Sequence, residues 1–267
     1  MKTQILALLA IALTANSCGN GKNDSVSFGP FGKSIEGKGP IREKTYPGNF
    51  DEIKVSQSIQ AEVIKSDVEK VVISAPSDIL DEILVDNVAG KIHIHFKPSL
   101  NISAQKVSAK IYAKDFSKIE ASSSANILVK NKFTQDRTDI EVSSSANIEG
   151  NFEANNMEVD VSSSGNFTGK IWAVDLSAEV TSSGEINLSG EAKNAEMDAS
   201  SSGTLNARNL VAENADLQAS SGGNVSLSVS RQLTASASSS GDIAVSKKGN
   251  LNVISQKESS GGSILVQ

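Results

Sequence analysis

The sequence predicts an all-β protein whose larger part winds as a parallel β-helix, a three-sided solenoid with about 19 residues per coil. The first observation is a repeated motif of serine cluster, small residue, one spacer and an apolar residue. Its small residues are Ala125, Ala146, Gly165, Gly184, Gly203, Gly223, Gly241 and Gly262, with spacings of 21, 19, 19, 19, 20, 18 and 21. The second is strict alternation around each motif, as in Val159, Val161, Ser163, Gly165 and Phe167 against Asp160, Ser162, Ser164 and Asn166, the mark of extended chain with one buried face. The third is composition. Aromatic residues make up only 4% of the 267 residues, so the core must be thin and built from Val, Ile, Leu and Ala. Dense Ser, Thr, Asn and Gly usage disfavours helix.

From the N-terminus, Lys2 followed by the apolar stretch from Ile5 to Ala15 and the small polar Asn16 and Ser17 reads as a signal peptide over residues 1–17, too short for a lasting membrane span. Cys18, the only cysteine, directly follows and resembles the lipidated cysteine of bacterial lipoproteins, although Asn16 departs from that pattern. An ordinary secretory signal with a spare cysteine is the other reading. Either way no intramolecular disulfide can form, and stability must come from packing. Residues 18–44 are rich in Gly and polar residues without an apolar period, and are expected to be a flexible tether behind the lipid anchor.

Residues 45–267 form the expected β-helix domain. In 45–115 the serine motif is missing, yet "EIKVSQSIQAEVIKS", "KVVISAP", "ILVDNVAGKIHIHFK" and "KVSAKIYAK" alternate as strands. "PSDILDE" reads as a turn or a single helical turn, and Val88-Ala89-Gly90 as a hairpin or bend. This part is expected to supply wider first coils and a cap. In 116–267 the serine-motif coils stack at about 4.8 Å each, so that equivalent residues form columns. Ile127, Ile148, Phe167, Ile186, Leu205, Val225, Ile243 and Ile264 are the expected core column. Ser123, Ser144, Ser163, Ser182, Ser201, Ser221, Ser239 and Ser260 fall on the same side and are expected to point inward as a hydroxyl ladder at a corner, with the following Gly turning it. The alternative is that the outer serines form a binding surface.

The stretches "FDEIKVSQSIQAEVI", "VVISAPSDILDEILV", "GKIHIHF" and "FSKIEASSSANI", with the later serine units, resemble the putative auto-transporter adhesin, head GIN domain family of exported bacterial proteins over about residues 48 to 255. That resemblance implies a right-handed single-stranded β-helix, often behind a lipoprotein signal, with an adhesive or cell-envelope role. It implies no catalytic residues.

The formal charge of −6 without a long basic run argues against a nucleic acid partner. P-loop, nucleophile-elbow, dinucleotide and calcium-repeat motifs are absent from the sequence, and no cofactor is expected. Outward acids look isolated, except that Asp160, Glu179 and Asp198 fall at equivalent positions of successive coils, a solvated acidic column or a cation site. His93 and His95 share one strand face and could share a metal, but no third ligand is evident, so an exposed face is the simpler reading. Trp172 with Phe167 could stack on a sugar, against packing at a core or edge. The chain is therefore expected to be a non-enzymatic envelope lipoprotein, anchored at the outer membrane and presenting its β-helix to a glycan or protein. A polysaccharide-acting enzyme and a purely structural scaffold are the alternatives.

Overall fold

In the computed structural model residues 35–267 are described; the expected signal peptide, Cys18 and most of the expected tether lie outside them. Eighteen strands join in one sheet, with two short 3-10 turns, at Leu80–Glu82 and Ala104–Lys106, as the only helical elements among the described residues.

The solenoid is formed by β8 (Lys118–Ala121), β9 (Asn126–Val129), β10 (Phe133–Val142), β11 (Asn147–Val161), β12 (Asn166–Val180), β13 (Glu185–Ala199), β14 (Thr204–Ala219), β15 (Asn224–Ala237), β16 (Asp242–Lys247), β17 (Asn252–Glu258) and β18 (Ser263–Val266). Every neighbouring pair in this stack is parallel, and from β11 to β13 each residue lies beside the one 19 positions later. The expected core column is continuous in register from Ile127 through Ile148, Phe167, Ile186, Leu205, Val225 and Ile243 to Ile264, and all eight are buried. Its member Phe167 joins Phe116, Phe133 and Phe152 in a cluster of rings, with centroids 4.9 Å apart for Phe116 and Phe133 and 5.9 Å for Phe152 and Phe167. No single coil could bury such rings alone, so the core exists only as a stack.

The serine turn differs from the expectation. Ser123, Ser144, Ser163, Ser182, Ser201, Ser221, Ser239 and Ser260 are all exposed, and each holds a positive φ, between 47° and 54°. The period of two was carried through a turn in which two residues adopt left-handed backbone and alternation is suspended. A ladder does run through these eight residues, but it is made of main chain. The carbonyl of each accepts from the turn N–H of the preceding coil, as in Ser145 N to Ser163 O at 3.0 Å and Ser164 N to Ser182 O at 3.1 Å. Left-handed backbone costs an L-residue about 1–2 kcal/mol, and this stacked bond helps offset it. Nor does the following glycine turn the corner. Gly165 has no positive φ; it is small because an added Cβ would lie 2.7 Å from the Val142 carbonyl oxygen of the coil beneath.

Residues 45–115 are not wider coils. β2 (Glu52–Val55) and β3 (Gln60–Lys65) make one coil that pairs in parallel with β8 and β9. On its other side lie β6 (Lys91–Phe96) and β7 (Ser108–Ala113), so chain order and stacking order differ. The end is closed by antiparallel strands: β5 (Ile83–Val88) on β6, and β4 (Lys70–Pro76) on β7 with β1 (Ile41–Pro47) outside it. The β5–β6 turn is the expected hairpin, with φ of 53° at Ala89 and 86° at Gly90, the pairing that suits strand twist. Strand β1 begins inside the stretch expected to be tether. Ile35 already bridges to Ile102, and the Lys38 and Gly39 amides donate to the Asp78 carboxylate, so the described part of that stretch belongs to the domain.

At the opposite end the last coil is polar only in part, since Val253, which follows buried Leu233 in register, and Ile254 are exposed. The inward column Val161, Val180, Ala199, Ala219, Ala237 is continued by Glu258. Its Oε1 accepts from the Ile264 amide at 2.9 Å and from Gln256 Nε2 at 3.1 Å. Polar groups of this kind are what a stacked array needs at its ends.

Candidate functional site

The last segment of each coil, Asp175 to Val180 in β12, alternates out and in, so its outward residues stack into columns along the solenoid. One column runs His93, Lys54, Glu120, Glu141, Asp160, Glu179, Asp198. Two features that look unrelated in sequence, His93 and the acids, thus share one line. Nor are the acids isolated: five carboxylates occupy consecutive coils of that column. A second column two residues earlier carries Asp139, Glu158, Ser177, Glu196 and Asp216. A furrow of 460 Å³ separates it from a third, Asn156, Asp175, Asn194 and Asn214.

Charge along this face is graded. At the capped end Glu120, only 7% exposed, is held by Lys54 at 2.9 Å, by Lys91, and by Lys118 at 3.7 Å. Lys118 also pairs with Glu141, and Arg137 with Asp139 and Glu158 at 2.8 and 3.0 Å. Farther along, Asp160, Glu179, Glu196, Asp198 and Asp216 have no ion pair among the described residues. Burial, then Glu158 and Glu179, pushes the Asp160 carboxyl up to about 6. Burial with Glu179 and Glu196 raises Asp198 as well. The side chains project in parallel rather than converging, and among the described residues no group of three His, Cys, Asp or Glu side chains has metal-binding geometry.

A raised acid destabilises the fold where it is ionised. Asp160 binds a proton in the folded chain between about pH 4 and 6, where the unfolded chain has lost it, so its penalty grows over that window as pH rises. Asp160→Asn is expected to raise the melting temperature at pH 7 by about 3 °C, roughly 1 kcal/mol after solvent screening, and to leave it unchanged at pH 4. Equal shifts at both pH values would refute this account.

The two histidines are in contact with each other, and among the described residues they belong to no group of three His, Cys, Asp or Glu side chains that could hold a metal ion. Their rings stack with centroids 4.2 Å apart. His95 places Nδ1 2.9 Å from the Phe96 carbonyl oxygen and Nε2 2.9 Å from Asp86 Oδ2, so both ring nitrogens already have partners within the protein. His93 Nε2 is 2.9 Å from Ser56 Oγ, and burial first, then His95 and Lys54, lowers its pKa to about 4. Rather than an exposed face, the pair is a half-buried contact that ties the β5–β6 hairpin to the first coil.

Trp172 is on the surface, 46% exposed, in register between Glu153 and Glu191 of adjacent coils. Phe167 is fully buried, so the two rings form no joint platform.

A family model described as "Putative auto-transporter adhesin, head GIN domain" matches residues 49–170 and 143–249, together spanning most of the solenoid. The chain belongs to this family. No curated protein matches it. Among solved structures, this head GIN domain superposes on a "putative adhesin" from Parabacteroides merdae with TM-score 0.77 and 19% identity, over 88% of this chain and 99% of that one. A "putative lipid binding protein" from Parabacteroides distasonis gives TM-score 0.75 and 22% identity over 88% and 100%, and a "putative adhesin" from the same organism 0.76 and 19% over 88% and 100%. At these identities the likeness concerns the fold.

The sequence reading of this head GIN domain missed the Glu120 cluster. Its members come from β2, β6 and β8, and only the out-of-order stacking of the first coils brings them together. A signal was present: "KIE" at 118–120 and "EIK" at 52–54 are matched alternating segments of opposite charge order.

Proposed function

We propose that this head GIN domain protein is a non-enzymatic, adhesin-like binding module of the bacterial cell envelope, exported and anchored to the outer membrane through a lipid on Cys18. The observation that carries the reading is the outward surface itself. It includes columns of like polar side chains repeated over several coils, the acids from Glu120 to Asp198 foremost, a form that suits an extended ligand lying along the axis better than a small substrate held at one point. In Cys18→Ser cells, incorporation of labelled palmitate into the protein is expected to disappear and the chain to leave the membrane fraction. Cells lacking the protein are expected to lose attachment to polysaccharide- or protein-coated surfaces. Unchanged attachment would sink the adhesive role, and a membrane-bound Cys18→Ser chain would sink the anchor.

One observation favours a hydrolytic second reading: Asp160, with its carboxyl raised to about 6, stands beside Glu179 of the next coil, and a protonated acid next to a carboxylate is the pair that glycoside hydrolysis uses. Release of reducing ends from a polysaccharide by the wild type, lost in Asp160→Asn, would replace the binding reading with this one.

A further inference from the structure

A second furrow, of 560 Å³, runs along a different face, between the outward rows on either side of Gly150 and Gly169. Phe152 and Phe167 fill the core beneath those glycines, leaving no room for a Cβ: one at Gly150 would lie 2.7 Å from Val129 Cβ, and one at Gly169 2.7 Å from the Phe167 ring. One wall is Glu149, Thr168, Asn187 and Asn206; the other is Asn151, Lys170, Ser189 and Asn209. Two rows on from Thr168 along β12 stands the exposed ring of Trp172.

The chemistry of this furrow differs from that of the acidic face. There, amides spend their hydrogen bonds internally: Asn194 donates to Asp175 at 2.7 Å and Asn214 to Asn194 at 2.8 Å. Here Asn151, Thr168, Lys170 and Asn209 have no side-chain partner among the described residues. On the first wall Asn187 and Asn206 are engaged, Asn187 donating to Glu185 at 2.8 Å and Asn206 to Asn187 at 3.2 Å. The unspent donors and acceptors are those of Thr168 and, on the second wall, of Asn151, Lys170 and Asn209, near an aromatic face that is only half covered. At its far end the register of β14 against β15 shifts between Ala207 and Val211, and two successive residues, Arg208 and Asn209, face solvent. Bulges of this kind re-aim side chains and gather at functional sites.

We propose that this furrow binds a glycan chain lying along the solenoid axis, with Trp172 stacking on a sugar ring and Asn151, Lys170 and Asn209 bonding its hydroxyls. Amides and hydroxyls match both the donors and the acceptors of a polyhydroxylated chain, which a row of like carboxylates cannot do. An aromatic ring supplies flat apolar area for the C–H face of a pyranose. The proposal rests on the binding-module reading and narrows it to one face and one ligand class.

The test is a glycan array with neutral, uronate and sulfated oligosaccharides, probed with the full-length protein, followed by titration of the bound members. Binding to at least one class is expected, weakened about tenfold or more by Trp172→Ala and several-fold by Asn151→Ala with Asn209→Ala. Lys170→Glu is expected to weaken uronate or sulfated ligands more than neutral ones, with a salt dependence that neutral ligands lack. These positions are exposed, so unchanged melting temperatures check that the variants fold. No binding to any member overturns the proposal, as does binding that all the variants retain. Neither outcome touches the adhesive reading, which stands or falls on attachment by cells lacking the protein.

Discussion

Gly223→Val is expected to destabilise the protein by about 4 kcal/mol, lowering its melting temperature by roughly 10 °C. A Cβ at this position would lie 2.1 Å from the Ala199 carbonyl oxygen and 2.4 Å from its carbon. Both are main-chain atoms held in the ladder, so no rotamer change relieves the contact. The coils must part instead, which strains the Ser220 N to Ala199 O bond of 2.9 Å and the Asn224 N to Gly203 O bond of 2.9 Å. Gly165→Ala should cost less, since its nearest approach is 2.7 Å and Ala125 and Ala146 already occupy the same row. Ser221→Ala, two residues earlier in the same turn, is expected to shift stability by no more than about 0.5 kcal/mol, because its side chain is exposed and its carbonyl does the bonding. Thermal unfolding followed by circular dichroism decides between the two accounts of the motif. A Ser221→Ala loss as large as that of Gly223→Val would restore the hydroxyl ladder and sink the main-chain one.

Glu120→Ala is expected to cost about 3–5 kcal/mol, the range for removing one partner from a buried ion pair. The substitution removes the one carboxylate shared by Lys54, Lys91 and Lys118, which come from three different layers of the stack. Lys91 keeps Glu52 and Lys118 keeps Glu141, while Lys54 loses its one ion pair among the described residues. Burial alone would raise the Glu120 carboxyl; Lys91 and Lys54 together outweigh it and hold it below its ordinary value. The stabilisation from a lowered acid is complete above the unfolded pKa, about 4.3, and fades as pH falls through the folded one. The gap between wild type and Glu120→Ala in denaturant titrations should therefore be full at pH 7 and shrink below about pH 4. A gap that stays constant down to pH 2 would mean that the side chain matters for its volume and not its charge.

The two predictions mark where the sequence was legible and where it was not. Period, core column and hairpin all depend on residues close in the chain or repeated at fixed spacing, and each appears in the structure where the sequence puts it. The serines misled because a turn of two left-handed residues spans an even number of positions. Alternation resumes after it in the same phase, as between Val161 and Phe167, and hides the interruption. The Asp160, Glu179, Asp198 column was readable because coils of equal length keep it in register. Its continuation to His93 was not, since that needs β6 to stack outside β2, and nothing in a linear pattern states that a later strand precedes an earlier one. Trp172 could be placed on a strand but not on a face, because the bends between coil segments decide which residues share an outer surface.

The 19-residue offset that runs unbroken from β11 to β13 makes length a separable property of this molecule. A duplication or excision of residues 166–184 would leave every remaining side chain in its column, and would change only how far the two ends stand apart, by about 4.8 Å for each coil. The out-of-order cap at one end and the Gln256–Glu258 closure at the other cannot be copied in the same way, because each is built once from residues that do not recur. Lineages of such proteins can therefore be expected to differ by whole coils in the middle of the chain while both ends stay constant, with reach evolving by recombination and surface chemistry by point substitution.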